Sequence, residues 1–205
     1  MKYIFVTGAP GSKWSSVVKN IYSSGSLDTT DNTATRLYAH SDAYSGAPMH
    51  MGSYFDPGME FGTWFDQLGG YLKEECEAEF DRPFTGTGIR IIKSHVFAHH
   101  IDYLKTTWPD CPVVLVHRSD DACLGWWVRC GGFNITYPDY NPYYRDLDNM
   151  GYQIAQQNIA IVDARHNYNS IPVQNNYQLA EILTIQPLTD LPHDYASADI
   201  TVTVI

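Results

Sequence analysis

The sequence predicts an α/β fold, a mainly parallel sheet flanked by helices, formed by a single domain over residues 1–205. Three observations predict it. An apolar run, Tyr3-Ile4-Phe5-Val6, passes through a Gly/Pro/Ser turn into residues spaced as a helix face. Two further runs, Ile89 to Lys93 and Val113 to His117, are short, apolar and β-branched, and Gly or Pro bounds each. Unbroken apolar runs of that length are the pattern of strands buried on both faces in a parallel sheet. Strands that alternate with helices place the chain in the α/β class.

The elements follow in order. Lys2 to Gly8 reads as the first strand, and Val17, Val18, Ile21 and Tyr22 recur at helical spacing until Ser23-Ser24-Gly25. Residues 26 to 58 have no sustained period, and a loop this long is usually functional. From Glu60, the positions Phe61, Trp64, Phe65, Leu68, Leu72 and Cys76 mark one helix face. Gly69-Gly70 should break or kink that helix, at about 1 kcal/mol each against Ala. Glu74, Glu75, Glu77 and Glu79 form its solvated side. After the two buried strands, Asp120-Asp121 opens a helix carrying Leu124, Trp126 and Trp127, and Gly131-Gly132 closes it. An aromatic loop, Tyr137 to Tyr144, precedes a helix near Leu147 to Ile159 and another near Asn175 to Leu183. An alternating tail, Ile200 to Ile205, ends the chain.

Composition bounds the function. The chain is 44% hydrophobic and only 18% charged, which excludes disordered and collagen-like classes. No apolar run reaches the roughly 20 residues of a membrane span, and no signal-peptide pattern follows Met1-Lys2, so a soluble cytoplasmic protein is expected. The 23 acids against 13 bases give a net charge of −10, which leaves no cationic surplus for gripping nucleic acid. A phosphate or sulfate site must therefore draw on few cations. Cys76, Cys111, Cys123 and Cys130 have no CxxC or zinc-ribbon spacing and are expected to be reduced and mostly buried.

The turn after the first strand reads Thr7-Gly8-Ala9-Pro10-Gly11-Ser12-Lys13-Trp14-Ser15-Ser16. Glycines let backbone N–H groups converge, the next helix aims its positive end at the ligand, and Lys and Ser add donors, so this is a candidate anion cradle. It is not a Walker A loop: counted from Gly8, the Gly-Lys-Ser/Thr places hold Lys13, Trp14 and Ser15. Pro10 likewise excludes the dinucleotide fingerprint. Ligands of open α/β sheets gather beyond the carboxyl ends of strands. The next two such ends carry Lys93-Ser94-His95 and His117-Arg118. His95 and His99, at i and i+4, can share a helical face, but no cysteine lies near them or His100 in sequence, and no metal is expected.

These three segments, in this order, resemble the sulfotransferase family that uses 3′-phosphoadenosine 5′-phosphosulfate, which has a P-loop nucleoside triphosphate hydrolase-like fold. The resemblance covers roughly residues 2–22 and 88–128. It implies that Pro10, Gly11, Ser12, Lys13, Trp14, Ser15 and Ser16 bind the 5′-phosphosulfate and Arg118 the 3′-phosphate. His95 would be the catalytic base, with Lys93 and Lys13 stabilising charge on the transferring group. The donor would be the nucleotide co-substrate and the acceptor a hydroxyl compound; the segment His50 to Gly62 and the aromatic loop Tyr137 to Tyr144 suit either a pocket for a sugar or small aromatic acceptor or plain surface cover. The sequence departs from the family pattern in three places. Gly11 stands where the family has a cation, Gly125 where it has a helix Ser, and no late basic Gly-rich loop follows Arg129. Two other classes of function remain open on sequence alone. One is a P-loop kinase or NTPase with an altered loop and Asp120 or Asp121 on the Mg²⁺ side, and the other is a non-catalytic binding module of the same fold.

Overall fold

The computed structural model describes residues 1–31, 40–41, 48–50, 59–60, 68–129, 146–186, 195–196 and 198–205. Its elements begin with β1 (Tyr3–Gly8), α1 (Trp14–Tyr22), β2 (His40–Ser41), β3 (Pro48–His50), β4 (Met59–Glu60) and α2 (Lys73–Asp81). Next come β5 (Arg90–Lys93), a 3₁₀ turn (His95–His99), α3 (Ile101–Thr107), β6 (Val113–His117) and α4 (Asp120–Arg129). The chain continues through α5 (Leu147–Asn167), β7 (Ile171–Val173), α6 (Asn176–Leu183) and β8 (Thr201–Val204). Six of these strands form one sheet in the order β4-β5-β1-β6-β8-β7, while β2 and β3 pair separately. No helix among the described residues is long and apolar enough to cross a membrane.

All six residues of β1 are buried, which explains its unbroken apolar run. Successive side chains of a strand point to opposite faces. Tyr3 and Phe5 enter a core with Phe80, Ile92, Phe97 and Trp108, whereas Ile4 and Val6 enter another with Val17, Val18, Ile21 and Val114. Phe5 meets the rings of Phe80, Phe97 and Trp108 at centroid distances of 5.8, 5.7 and 5.4 Å. Burying one such ring stabilises the fold by about 2–3 kcal/mol. The helices thus cover both faces of the sheet, as an α/β chain requires.

The sheet is mixed rather than mainly parallel throughout. β4, β5, β1 and β6 run parallel, but β8 is antiparallel to β6 and β7 antiparallel to β8. In the alternating tail, Val202, Thr203 and Val204 are all buried because β8 lies inside the sheet. The sequence reading passed over β7. Its Pro172 weakens the strand signal, and proline is tolerated where no ladder hydrogen bond is needed, as at an edge.

Helix boundaries also shift. Glu60 belongs to β4, not to a helix start. The expected break at Gly69-Gly70 is present: residues 68–70 form a 3₁₀ turn and α2 begins only at Lys73. Leu72 therefore precedes the helix and is exposed instead of joining its buried face; its N–H donates to Glu75 Oε2 at 2.8 Å. α5 runs on past Ile159 to Asn167, its buried face continuing through Gln157, Asn158, Ile161 and Ala164. Two polar residues on that face hid the period. Cys76, Cys111 and Cys123 are buried free thiols. Phe61, Trp64, Phe65, Cys130, Gly131-Gly132, Tyr137 to Tyr144 and most of 26–58 lie outside the described residues.

Candidate functional site

The turn between β1 and α1 is held in a conformation that its glycines make available. Gly11 sits at φ +82° and Lys13, which caps α1, at φ +65°. Ser12 N–H donates to the Ala9 carbonyl and Ser16 N–H to the Lys13 carbonyl, both at 2.9 Å. A Cβ on Gly8 would lie 2.5 Å from Ser12 Oγ, and one on Gly11 would lie 2.0 Å from the Cys123 carbonyl oxygen. The turn is thus packed tightly onto itself and onto α4. Pro10, Ser12 and Trp14 are buried, Gly11, Lys13 and Ser15 half-buried, and Ser16 exposed. The first N–H groups of any helix lack intrahelical acceptors and carry its positive partial charge, and here they belong to the α1 end of this turn. Ser12 Oγ is buried with no hydrogen-bond partner.

The end of β5 lies against the same turn. Ser94 N–H donates to the Val6 carbonyl at 3.1 Å, and Thr7 Oγ1 donates to the His95 carbonyl at 3.3 Å. Lys93 is fully buried, with Nζ 5.6 Å from the centroid of the Trp14 ring, a cation–π distance. Ser94 Oγ accepts from Val96 N–H at 3.1 Å and starts the 3₁₀ turn. His95 is buried, with Nδ1 3.0 Å from Gln157 Nε2. Burial, reinforced by His99, pushes its imidazole down to about 3, so the ring is neutral at ordinary pH.

Arg118, beyond β6, joins the turn to α4. Its Nη1 donates to the carbonyls of Gly11 at 3.2 Å and Ala122 at 3.1 Å. Its Nε lies 3.6 Å from Asp199 Oδ2. Lys13 Nζ donates to the Ala198 carbonyl at 3.2 Å. Both cations lie over the Trp126 ring, at 5.3 Å for Lys13 and 5.9 Å for Arg118. Desolvation and the neighbouring Arg118 charge lower the Lys13 pKa, and Asp199 offsets part of that. Asn158 Nδ2 donates to the Arg118 carbonyl at 2.8 Å and to Asp120 Oδ1 at 2.6 Å.

The sequence-predicted residues are therefore brought together: hydrogen bonds or close packing tie the turn, the β5 end and Arg118 to one another. Gly125, by contrast, faces open space, alongside a shallow groove lined by Asp121, Leu124, Val128, Arg129 and Leu147. Sequence reasoning missed Gln157, Asn158, Trp126 and Asp199. Two adjacent amides within the apolar stripe of α5 were the available signal for the first pair. Of the two adjacent tryptophans of α4, Trp127 is buried, while Trp126 carries the cations. Among the described residues, no three His, Cys, Asp or Glu side chains cluster closely enough to hold a metal ion. No protein-family model, characterised protein or solved structure matches the chain.

Proposed function

We propose that the chain is a sulfotransferase-like enzyme of the P-loop type, moving a sulfuryl group from 3′-phosphoadenosine 5′-phosphosulfate to a hydroxyl of an acceptor. The observation that carries this reading is the joining of three strand ends: a tight glycine turn, a buried Lys93 with a neutral His95, and an Arg118 that grips the turn itself. A parallel β4-β5-β1-β6 arrangement, with the turn at the end of the central β1, supports the fold assignment.

In this mechanism the acceptor oxygen attacks sulfur in line and forms the new S–O bond. The bond from sulfur to the bridging phosphate oxygen breaks, and 3′-phosphoadenosine 5′-phosphate leaves. The hydroxyl proton passes to the neutral imidazole of His95. Lys93, Lys13 and the N–H groups at the start of α1 stabilise the negative charge that builds on the transferring and leaving groups. A pKa of about 3 makes His95 a weak base in the ligand-free protein. A bound polyanion nearby favours the imidazolium and raises that value toward the working range.

Calorimetry against 3′-phosphoadenosine 5′-phosphate, with ATP plus Mg²⁺ run in parallel, tests the reading. Metal-independent binding of the bisphosphate, weakened by Arg118→Ala, is the expected result. Binding of ATP with Mg²⁺ alone would replace it with a kinase, and binding of neither would leave a non-catalytic module.

A further inference from the structure

Lys13 and Arg118, two cations at the turn, already face oxygen atoms of the protein. The Ala198 carbonyl accepts from Lys13 Nζ at 3.2 Å, and the Asp199 carboxylate lies 3.6 Å from Arg118 Nε. Both residues belong to the short turn before β8. We infer that this turn is an internal stand-in for the anionic ligand: Asp199 screens the Lys13–Arg118 pair in the empty protein and is displaced when an external anion binds there. The inference rests on the anion-site reading proposed above and adds a means of regulating it.

Five observations carry it. Lys13 and Arg118 both lie within cation–π reach of the Trp126 ring, so two like charges are held near one another, and the Arg118 charge acts on Lys13. Such a pair gains from an anion, and Asp199 is the carboxylate in ion-pair contact with Arg118. The contact is incomplete, because Arg118 Nε is buried without a hydrogen bond, so a donor stands ready for a better-placed oxygen. The Asp199 side chain is 72% exposed, so it can swing into solvent without passing through the core. Finally, Asp199 is held at φ +59°, a left-handed conformation that costs a non-glycine residue free energy and that Asp and Asn tolerate best. The lowered Lys13 pKa agrees with this picture, since the repulsion from Arg118 is only partly offset by Asp199.

The test is Asp199→Asn, which keeps a residue suited to the left-handed turn while removing the charge. Asp199→Gly is a second variant that also relieves the backbone. Each is titrated by calorimetry with inorganic pyrophosphate, which needs only the cation site, and then with 3′-phosphoadenosine 5′-phosphate. Thermal melts confirm that both variants are folded. Exposed ion pairs contribute little, so pyrophosphate should bind about two- to fivefold more tightly to both variants than to the wild type. Equal or weaker pyrophosphate binding in folded Asp199→Asn overturns the inference, as does a lack of pyrophosphate binding to every form. Tighter pyrophosphate binding without any binding of the nucleotide upholds the internal anion and removes the sulfotransferase reading instead.

Discussion

Gln157 Nε2 lies 3.0 Å from Nδ1 of His95, and both side chains are buried. With the amide N–H donating, the neutral ring carries its proton at Nε2. Rotating the amide lets Nδ1–H donate to Oε1, which is otherwise buried without a partner, and leaves the Nε2 lone pair for chemistry. A catalytic base requires the second arrangement. Nitrogen-15 spectra of the histidine rings should therefore show His95 protonated at Nδ1. Protonation at Nε2 would make it a hydrogen-bond donor to the substrate anion instead of a base.

Substitution at position 157 separates electrostatics from packing. Gln157→Leu strands a buried ring nitrogen and should cost about 1–3 kcal/mol in urea unfolding. Gln157→Glu places a carboxylate beside Nδ1 and should raise the His95 pKa well above about 3, read by NMR titration.

The His95 shift makes stability depend on pH. The unfolded ring titrates near 6.5 and the folded one near 3, so the unfolded chain binds more protons between those values. Stability from the neutral ring is complete above pH 6.5 and is lost as pH falls toward 3, to a total of a few kcal/mol. His117, also lowered by burial, acts in the same direction. Unfolding free energies at pH 7.5 and 5 should fall less in His95→Asn than in the wild type.

Two glycines should respond to Ala with opposite signs. At Gly11 the new Cβ would lie 2.0 Å from the Cys123 carbonyl oxygen in a left-handed conformation, so Gly11→Ala should destabilise by about 2 kcal/mol or more and weaken anion binding. At Gly125 the Cβ meets nothing within 4 Å, and Gly125→Ala should stabilise α4 by about 0.5–1 kcal/mol. Thermal melts of the two variants check both signs.

Catalysis is tested at His95 itself. His95→Ala should abolish sulfuryl transfer while calorimetry still detects the bisphosphate, because the base takes part in the transition state and not in donor binding. Unchanged turnover would remove His95 from the mechanism.

The strand–turn–helix unit and the strand ends were legible because they depend on local chemistry. Apolar runs buried on both faces mark β1, β5 and β6, and Gly11 marks a turn that needs a positive φ. What escaped depends on contacts between distant segments. Gln157 and Asn158 interrupt the apolar period of α5 because their partners are His95, Arg118 and Asp120, which no window along the helix contains. Asp199 reads as a tail residue until β8 docks beside β6 and brings the preceding turn to Arg118. The direction of β8 was equally hidden, since alternating Val and Thr suits either orientation.

The position of β8 bears on how the molecule assembles. Its partners β6 and β7 lie far from each other in sequence, and among the described residues β7 is paired only through it. Bringing β8 to β6 closes a long loop, the kind of non-local step that slows folding. The turn at Ala198-Asp199 reaches Lys13 and Arg118 only when that step is complete. A folding chain would therefore hold its cation pair bare until β8 docks, and anions such as phosphate would act on refolding rates before they act on the finished protein.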